Sequence, residues 1–217
     1  MGQLRLLDLF SGEGGAGMGY HQAGFEVVGV DIDPQPRYHF EFHQADAFEY
    51  LNAHGDEFDV IHASPPCPAY STITPDPTRH PRLIGRTRRA LTELGRPYVI
   101  ENVDGAKRQL DNPFMLCGSA FGLQVRRHRW FESSAWVVPA PCRHAEQGQP
   151  VGVYGDHPET KAHPRRGRPG GRGIKATDLA HAQQAMGMPW ASWRGCAEAI
   201  PPAYTRHIGG QLVAALI

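Results

Sequence analysis

Short apolar runs and amphipathic runs alternate along the first half of the chain. Four apolar runs have the length and composition of buried strands: LRLLDLF, FEVVGV, FDVIHA and PYVIEN. Between them lie GAGMGYHQA, DAFEYLNA and IGRTRRALTEL, whose apolar spacing predicts helices. This alternation favours a Rossmann-like α/β fold, in which a mixed, mostly parallel sheet carries helices on both faces. Ligands of such sheets bind at the carboxyl ends of the strands.

The second half of the chain loses this alternation. Between residues 135 and 175, Pro, Gly, Arg and His dominate, and VGVYG is the one strand-like fragment. We therefore predict a core over residues 1–134, a loop-rich insertion over 135–175, and helices over 176–217 that complete the core. The Pro-Pro pair in AIPPAY fits the start of the final helix.

Charge is unevenly distributed, although it sums to zero. Residues 1–125 contain 10 Lys and Arg against 16 Asp and Glu, whereas residues 126–175 contain 10 against 4. A basic segment beside an acidic body is typical of proteins that contact a polyanion, but it also suits a solvated loop. No apolar run approaches the roughly 18 residues of a membrane helix, and no signal-peptide pattern is present. Four widely spaced cysteines do not suggest a disulfide framework, so we expect a cytoplasmic protein without membrane contact.

A glycine-rich turn, DLFSGEGGAGMGY, follows the first strand and opens a helix. Glycines there let the backbone approach a ligand closely while helix amides point at it. The second strand ends in VGVDIDP, where an acid accepts hydrogen bonds from ribose hydroxyls, so Asp31 is the candidate and Asp33 the alternative. Asp46 is a candidate for the adenine amino group, or else a helix N-cap. These features predict a site for a cofactor that carries adenosine.

The motifs DLFSGEGG, VDIDP, QADA, SPPCPAYS, ENV and VRRHRWF occur in an order that resembles the cytosine-5 DNA methyltransferase family, from Leu4 to about Phe131. The closing AEAIPPAYTRHIG is similar to the last motif of that family, and the short tail is most similar to phage-encoded members. The resemblance implies a class I methyltransferase fold, a role in restriction–modification, double-stranded DNA as substrate and S-adenosyl-L-methionine as cofactor. The cofactor-binding residues predicted on this basis are Phe10, Ser11, Gly12, Gly15, Asp31, Ile32, Asp46, Ala47, Pro66 and Glu198.

The resemblance also assigns catalytic roles. Carbon 5 of cytosine is a poor nucleophile until a thiolate adds at carbon 6, and this thiolate is assigned to Cys67, in a loop shaped by Pro66. Glu101 is assigned to ring nitrogen 3, and its place at the end of a buried strand favours the protonated carboxyl. Arg127 and Arg129 alternate along VRRHRWF and are predicted to share one face of a strand. Family arginines at this spacing contact the flipped base and organise the cysteine.

Two positions depart from the family pattern. Val125 stands where the family has Gln, and Ala197-Glu198 stand where it commonly has Gly-Asn. Glu198 is therefore the candidate for contact with the ammonium group of the donor. The departures leave open the same mechanism on tRNA or with a modified donor. A catalytically silent DNA-binding homologue is a second, separate alternative. The intact catalytic set argues against the silent homologue.

Arginines after the catalytic loop and within the insertion are the predicted DNA contacts. With one serine, the set is Ser71, Arg79, Arg82, Arg86, Arg88, Arg165, Arg166 and Arg168. The insertion occupies the family's target-recognition position but is only about 40 residues long, so we expect low sequence specificity and no obligate protein partner. Cys142, His144 and His157 match no standard zinc spacing and lack an evident fourth ligand, so no metal site is predicted.

Overall fold

The computed structural model describes residues 2–71, 74–155 and 174–217. Seven strands of the described residues form one sheet. They are β1 (Arg5–Leu9), β2 (Glu26–Asp31), β3 (Glu41–Gln44), β4 (Val60–Ala63), β5 (Tyr98–Asn102), β6 (Phe114–Leu116) and β7 (Arg129–Ser133). The strand order is β3-β2-β1-β4-β5-β7-β6; the first five strands are parallel and β7 is antiparallel to both of its neighbours. This topology confirms the predicted Rossmann-like α/β fold.

Helices cover both faces of the sheet, as the alternating pattern predicts. They are α1 (Gly15–Gln22), α2 (Ala47–His54), α3 (Ile84–Leu94), α4 (Leu179–Met186), α5 (Trp193–Glu198) and α6 (Pro202–Leu216). On one face, Tyr20 of α1 and Tyr204 of α6 are fully buried in one apolar cluster. On the other face, Leu51 of α2 and Leu91 of α3 pack in a second cluster. Because β1, β2, β4 and β5 are covered on both sides, they are nearly continuous apolar runs.

A third apolar cluster lies beside the sheet, around α4 and α5. Two short parallel strands, β8 (Val151–Gly152) and β9 (Ile174–Lys175), border it. Val151 and Val153 are buried there against Met186 and Cys196. The described ends of the 135–175 insertion therefore pack on the C-terminal helices, while the proposed division into three parts stays a prediction. Within the described residues, no helix has the length and apolar character needed to cross a membrane.

Candidate active site

The residues with predicted chemical roles converge at the carboxyl ends of the central strands. The glycine-rich turn follows β1, Asp31 ends β2, the loop with Cys67 follows β4, and Glu101 lies near the end of β5. These four strands are direct neighbours in the order β2-β1-β4-β5 and are parallel. Parallel neighbours present their carboxyl ends at the same edge of a sheet, so the topology places the glycine-rich turn and Asp31 on the same edge as Cys67 and Glu101.

The loop that carries Cys67 is fixed at both ends by hydrogen bonds. Asn102 donates its side-chain amide to the carbonyl oxygen of Pro65 (2.8 Å). The backbone N–H groups of Tyr70 and Ser71 both donate to the carbonyl oxygen of Cys67, at 2.9 and 3.0 Å. Burial raises the pKa of the Cys67 thiol, the negative charge of Glu101 raises it further, and Arg129 opposes them. In the free protein the sulfur is therefore held as a thiol in a defined position.

Glu101 is a buried acid in contact with a cation. Burial raises the pKa of its carboxyl, while Arg129, Arg127 and a hydrogen bond with Ser64 lower it. Arg129 Nε lies 3.0 Å from Glu101 Oε1, but the alignment is not that of a hydrogen bond, and within the described residues this oxygen has no hydrogen-bond partner. The two side chains are thus in contact without a hydrogen bond between Arg129 Nε and Glu101 Oε1. One carboxyl oxygen keeps its hydrogen-bonding capacity for a substrate.

A row of buried polar side chains continues behind Glu101. The Oγ of Ser64 lies 2.8 Å from Nε2 of His62, and the other ring nitrogen of His62 lies 3.0 Å from the hydroxyl of Tyr20. Burial lowers the pKa of His62 to about 3, so the ring is neutral at physiological pH. Sequence reasoning missed this row. The histidine inside the apolar strand FDVIHA was its one visible signal.

Arg127 does not take the position that alternation predicts. Strand β7 begins only at Arg129, and Arg127 precedes it with φ at 38°, so the prediction that the two share one face of a strand is wrong. Its guanidinium is buried and donates to three backbone carbonyls: Ala199 (2.8 Å), Val153 (3.0 Å) and Ala197. Burial lowers the pKa of Arg127 to about 9. Arg127 thus joins the end of α5 to the segment after β8, whereas Arg129 lies against Glu101.

The glycine-rich turn is shaped around Asp31. The Oδ2 of Asp31 accepts a hydrogen bond from the N–H of Gly12 (2.9 Å), and its Oδ1 accepts one from the N–H of Asp33 (3.0 Å). Gly12 has φ at 51°, a value that side chains disfavour. Ser11 is buried and its Oγ has no partner within the described residues, whereas Ile32 is 65% exposed at the same edge. An unsatisfied hydroxyl, a carboxylate and an exposed apolar side chain fit an adenosine-bearing cofactor.

The turn is also attached to the C-terminal part of the chain. The carboxylate of Glu13 accepts hydrogen bonds from the backbone N–H of Ser192 (2.6 Å) and from its hydroxyl. The indole N–H of Trp190 donates to the carbonyl oxygen of Glu13 (2.9 Å). Gly15 is buried, and a Cβ there would lie 2.4 Å from the carbonyl oxygen of Ile200. Its role in the described structure is therefore close packing against the final motif.

The remaining predicted cofactor residues lie around the same edge with mixed local roles. Asp46 is the N-cap of α2: its Oδ1 accepts from the N–H of Phe48 (2.8 Å) and of Glu49 (3.1 Å). Ala47 follows as the first, buried residue of that helix. The remaining three also occupy identifiable places. Phe10 packs edge-on against Phe48 (5.9 Å), Pro66 is exposed beside the nucleophile, and Glu198 ends α5 with its carboxylate 3.1 Å from Arg194.

Comparison with known proteins agrees with this arrangement. The model of the C-5 cytosine-specific DNA methylase family matches residues 4–112, which carry the glycine turn, the Cys67 loop and Glu101. The chain belongs to this family. Its members are methyltransferases that act on carbon 5 of cytosine. No curated protein sequence matches the chain significantly.

Solved structures share the fold with this family member at low sequence identity. A DNA modification methyltransferase encoded within an E. coli prophage aligns with a TM-score of 0.64 at 17% identity, covering 98% of this chain and 99% of its own. The Dnmt2 methyltransferase of S. pombe aligns with a TM-score of 0.63 at 13% identity, covering 99% of each chain. The methyltransferase EhMeth of Entamoeba histolytica aligns with a TM-score of 0.63 at 11% identity, covering 100% of each chain. Identities this low show a common fold.

The predicted DNA contacts of this methylase divide into exposed and internally paired arginines. Arg79, Arg82 and Arg86 are exposed on the segment after the Cys67 loop; Arg82 lies over the ring of Tyr70 (5.5 Å) and Arg86 over that of Phe48 (3.8 Å). These three stay predicted contacts, as does Ser71. The remaining predictions, Arg165, Arg166 and Arg168, lie outside the described residues.

Arg88 forms ion pairs with two carboxylates of the protein itself. Its Nη2 lies 2.6 Å from Glu132 Oε2, its Nε lies 2.7 Å from Glu132 Oε1, and Asp111 is 3.0 Å away. Glu132 is buried in β7, so this bidentate pair attaches α3 to the sheet. Arg88 is thus paired within the protein, and its contact with DNA stays a prediction.

Two cysteines and two histidines meet near the start of β7, within the described residues. This cysteine–histidine cluster consists of Cys117, His128, Cys142 and His144. The prediction that Cys142 and His144 lack further ligands is therefore wrong, since Cys117 and His128 come from the segments around β6 and β7. His157, the third residue considered from the sequence, lies outside the described residues.

Proposed function

We propose that this chain methylates carbon 5 of cytosine in double-stranded DNA, using S-adenosyl-L-methionine. The observation that carries the proposal is the group formed by Cys67, Glu101 and Arg129 at the carboxyl ends of the adjacent strands β4 and β5. A nucleophile, a buried acid and a cation stand together there, beside a glycine turn suited to adenosine. Addition of a thiol to cytosine requires these three functions.

Cys67 acts as the nucleophile in this proposal. The Cys67 thiol, whose pKa burial and Glu101 raise, loses its proton to solvent water as the cytosine binds. The positive charge of Arg129 opposes that rise in pKa and stabilises the resulting thiolate. The sulfur electron pair forms a bond to carbon 6, and the ring electrons move toward nitrogen 3. The fixed carbonyl of Cys67 keeps the sulfur at one angle to the base.

Glu101 supplies the proton that nitrogen 3 takes up. Its burial favours the protonated carboxyl, and its Oε1 has no hydrogen-bond partner among the described residues. S-adenosyl-L-methionine supplies an electrophilic methyl group. Once carbon 5 carries the methyl group, the proton on nitrogen 3 returns to Glu101 and the proton on carbon 5 passes to solvent water. The electron pair left on carbon 5 re-forms the double bond to carbon 6 as the bond between carbon 6 and sulfur breaks, which releases the Cys67 thiolate.

The cofactor would be held by the residues at the ends of β1 and β2. The carboxylate of Asp31 suits ribose hydroxyls, the hydroxyl of Ser11 suits a polar end of the cofactor, and Ile32 offers an apolar surface to the adenine ring. Glu198 is the candidate for the ammonium group, because its negative charge also acts on Cys67 and so lies on the same side of the site.

Duplex DNA would be contacted by Arg79, Arg82 and Arg86, which are exposed beside the nucleophile loop. The short insertion over 135–175 would serve as a reduced target-recognition segment, so we propose a specificity of at most two bases. Bisulfite sequencing of the treated DNA tests this. A single methylated motif of about four bases or more, instead of the expected ~2, would contradict the proposed low specificity.

The direct test is to incubate the purified chain with unmodified duplex DNA and S-adenosyl-L-methionine, digest the DNA and weigh the nucleosides. We expect 5-methylcytosine with the native chain and none with Cys67→Ala. Parallel reactions with tRNA test the alternative substrate. A 5-fluorocytosine duplex should trap a covalent adduct on Cys67, because elimination requires the carbon 5 substituent to leave as a cation, which hydrogen can do and fluorine cannot. DNA binding without product or adduct would establish a silent homologue and overturn the proposal.

A further inference from the structure

The cysteine–histidine cluster directs four potential metal ligands toward one point. All its ligand atoms lie within 4.8 Å of one another. The Nε2 atoms of His128 and His144 are 3.2 Å apart, Cys117 Sγ is 3.2 Å from His144 Nε2, and Cys142 Sγ is 3.8 Å from His128 Nε2. These distances are short for groups that only pack together.

The distances agree with the edges of a tetrahedron around zinc. With Zn–N bonds of about 2.05 Å and Zn–S bonds of about 2.3 Å, tetrahedral geometry places two nitrogens about 3.3 Å apart and a nitrogen and a sulfur about 3.6 Å apart. The three separations given above depart from these values by about 0.4 Å or less, and the other three lie within the 4.8 Å that spans the whole set. Two thiolates and two imidazoles form a ligand set that favours zinc over the harder divalent cations.

We propose that the cysteine–histidine cluster binds one structural zinc ion. All four positions of the tetrahedron are filled by protein side chains, which is the pattern of a structural rather than a catalytic zinc site. Nothing in the methylation mechanism uses these side chains, so the site is additional to the proposed activity.

The surroundings of the cluster support a built site. Ser119 Oγ lies 3.1 Å from Cys117 Sγ and accepts a hydrogen bond from the backbone N–H of Arg143 (3.0 Å). Arg143 stands between the ligands Cys142 and His144 in the segment 142–147, here called the outer loop. Gln147 donates to the carbonyl oxygens of Leu123 (2.8 Å) and Val125 (3.1 Å). The outer loop is therefore held against the segment between β6 and β7 by contacts that orient the ligands.

The position of the cluster indicates what the zinc would do. His128 lies between Arg127 and Arg129, and the outer-loop ligands Cys142 and His144 lie at the start of the predicted recognition insertion. A bound ion would fasten this part of the insertion to the segment that carries the catalytic arginine. The recognition segment would then leave the core from a fixed base.

The test is the zinc content of the 217-residue chain, produced without a polyhistidine tag in zinc-supplemented medium and desalted. Elemental mass spectrometry should find about one zinc per chain, and both Cys142→Ser and His144→Ala should hold less than about a tenth of that amount. Cys67→Ser is the matched cysteine control and should keep the full amount. Cobalt substitution should give the intense visible bands of four-coordinate geometry and a thiolate charge-transfer band.

Two results would overturn the proposal. One is a folded native chain without zinc, whether its thiols are free or Cys117 and Cys142 are joined as a disulfide. The other is full zinc content in both ligand variants. The cobalt spectrum is measured on the native chain, so a spectrum without thiolate ligation refutes the site even if a variant fails to fold. These readouts do not depend on methylation, and failure here leaves the proposed function untouched.

Discussion

Asp8, the last residue but one of β1, carries a carboxyl group inside the protein core. It is fully buried; the hydroxyl of Tyr38 donates to its Oδ2 (3.2 Å), and its Oδ1 has no partner among the described residues. Burial raises its pKa from 3.8 to about 8, against the opposing hydrogen bonds of Tyr38 and Gly17. The folded chain therefore holds a proton on Asp8 over a pH range in which the unfolded chain has lost it.

The sign of the resulting pH dependence follows from this difference. Between pH 3.8 and about pH 8 the folded state binds one proton more than the unfolded state, so the free energy of unfolding falls as pH rises. The slope is about 1.4 kcal/mol per pH unit, which amounts to about 4 kcal/mol between pH 4 and pH 7. Asp8→Asn has nearly the same shape and no proton to lose. We expect it to remove this slope, and to be more stable than the native chain at neutral pH by up to about 4 kcal/mol.

Urea unfolding followed by tryptophan fluorescence at about pH 5, 6, 7 and 8 measures this directly. Plotted against pH, the free energies of unfolding of the native and Asp8→Asn chains should converge at low pH and separate as pH rises. Asp56→Asn, which changes an exposed carboxylate, should keep the native slope. If the Asp8→Asn line instead runs parallel to the native line across the range, Asp8 is not neutral in the folded protein and the reasoning from burial fails.

Two further predictions concern the arginines around the site. Because the pKa of the Cys67 thiol is raised, the rate of adduct formation with a 5-fluorocytosine duplex should increase about tenfold per pH unit below that pKa. Arg129→Gln should shift the plot of this rate against pH to higher pH, because the charge of Arg129 lowers the thiol pKa. A rate independent of pH in both proteins would contradict this. Arg127→Ala leaves three backbone carbonyls without their donor and should lower the free energy of unfolding by about 3–6 kcal/mol in urea titrations. The exposed Arg206→Ala serves as control, and a loss of less than about 1 kcal/mol at Arg127 would count against its bridging role.

The sheet and its helices could be predicted from the sequence because their signals are local. IGRTRRALTEL predicts a helix with the bounds that α3 has, since apolar side chains repeat at helical spacing. The placement of Cys67 and Glu101 at one sheet edge follows from the rule that parallel strands end together.

The errors arise where a residue's partner is distant in sequence. The sequence does not show that Arg88 is paired within the protein, because its partner Glu132 lies 44 residues away. The cysteine–histidine cluster draws its ligands from three separate segments, so no spacing rule finds it. Arg127 was misplaced because the strand pattern cannot show that the backbone at Arg127 turns to a positive φ.

The attachment of Glu13 to Ser192 has a consequence for how the site matures. The residues in contact are 179 apart in sequence, so this loop closure carries a large entropic cost and is expected late in folding. During synthesis, the glycine turn emerges long before the segment that holds it in shape. A nascent chain would therefore acquire affinity for its cofactor only after residues 190–192 have been made and have docked onto the glycine-rich turn.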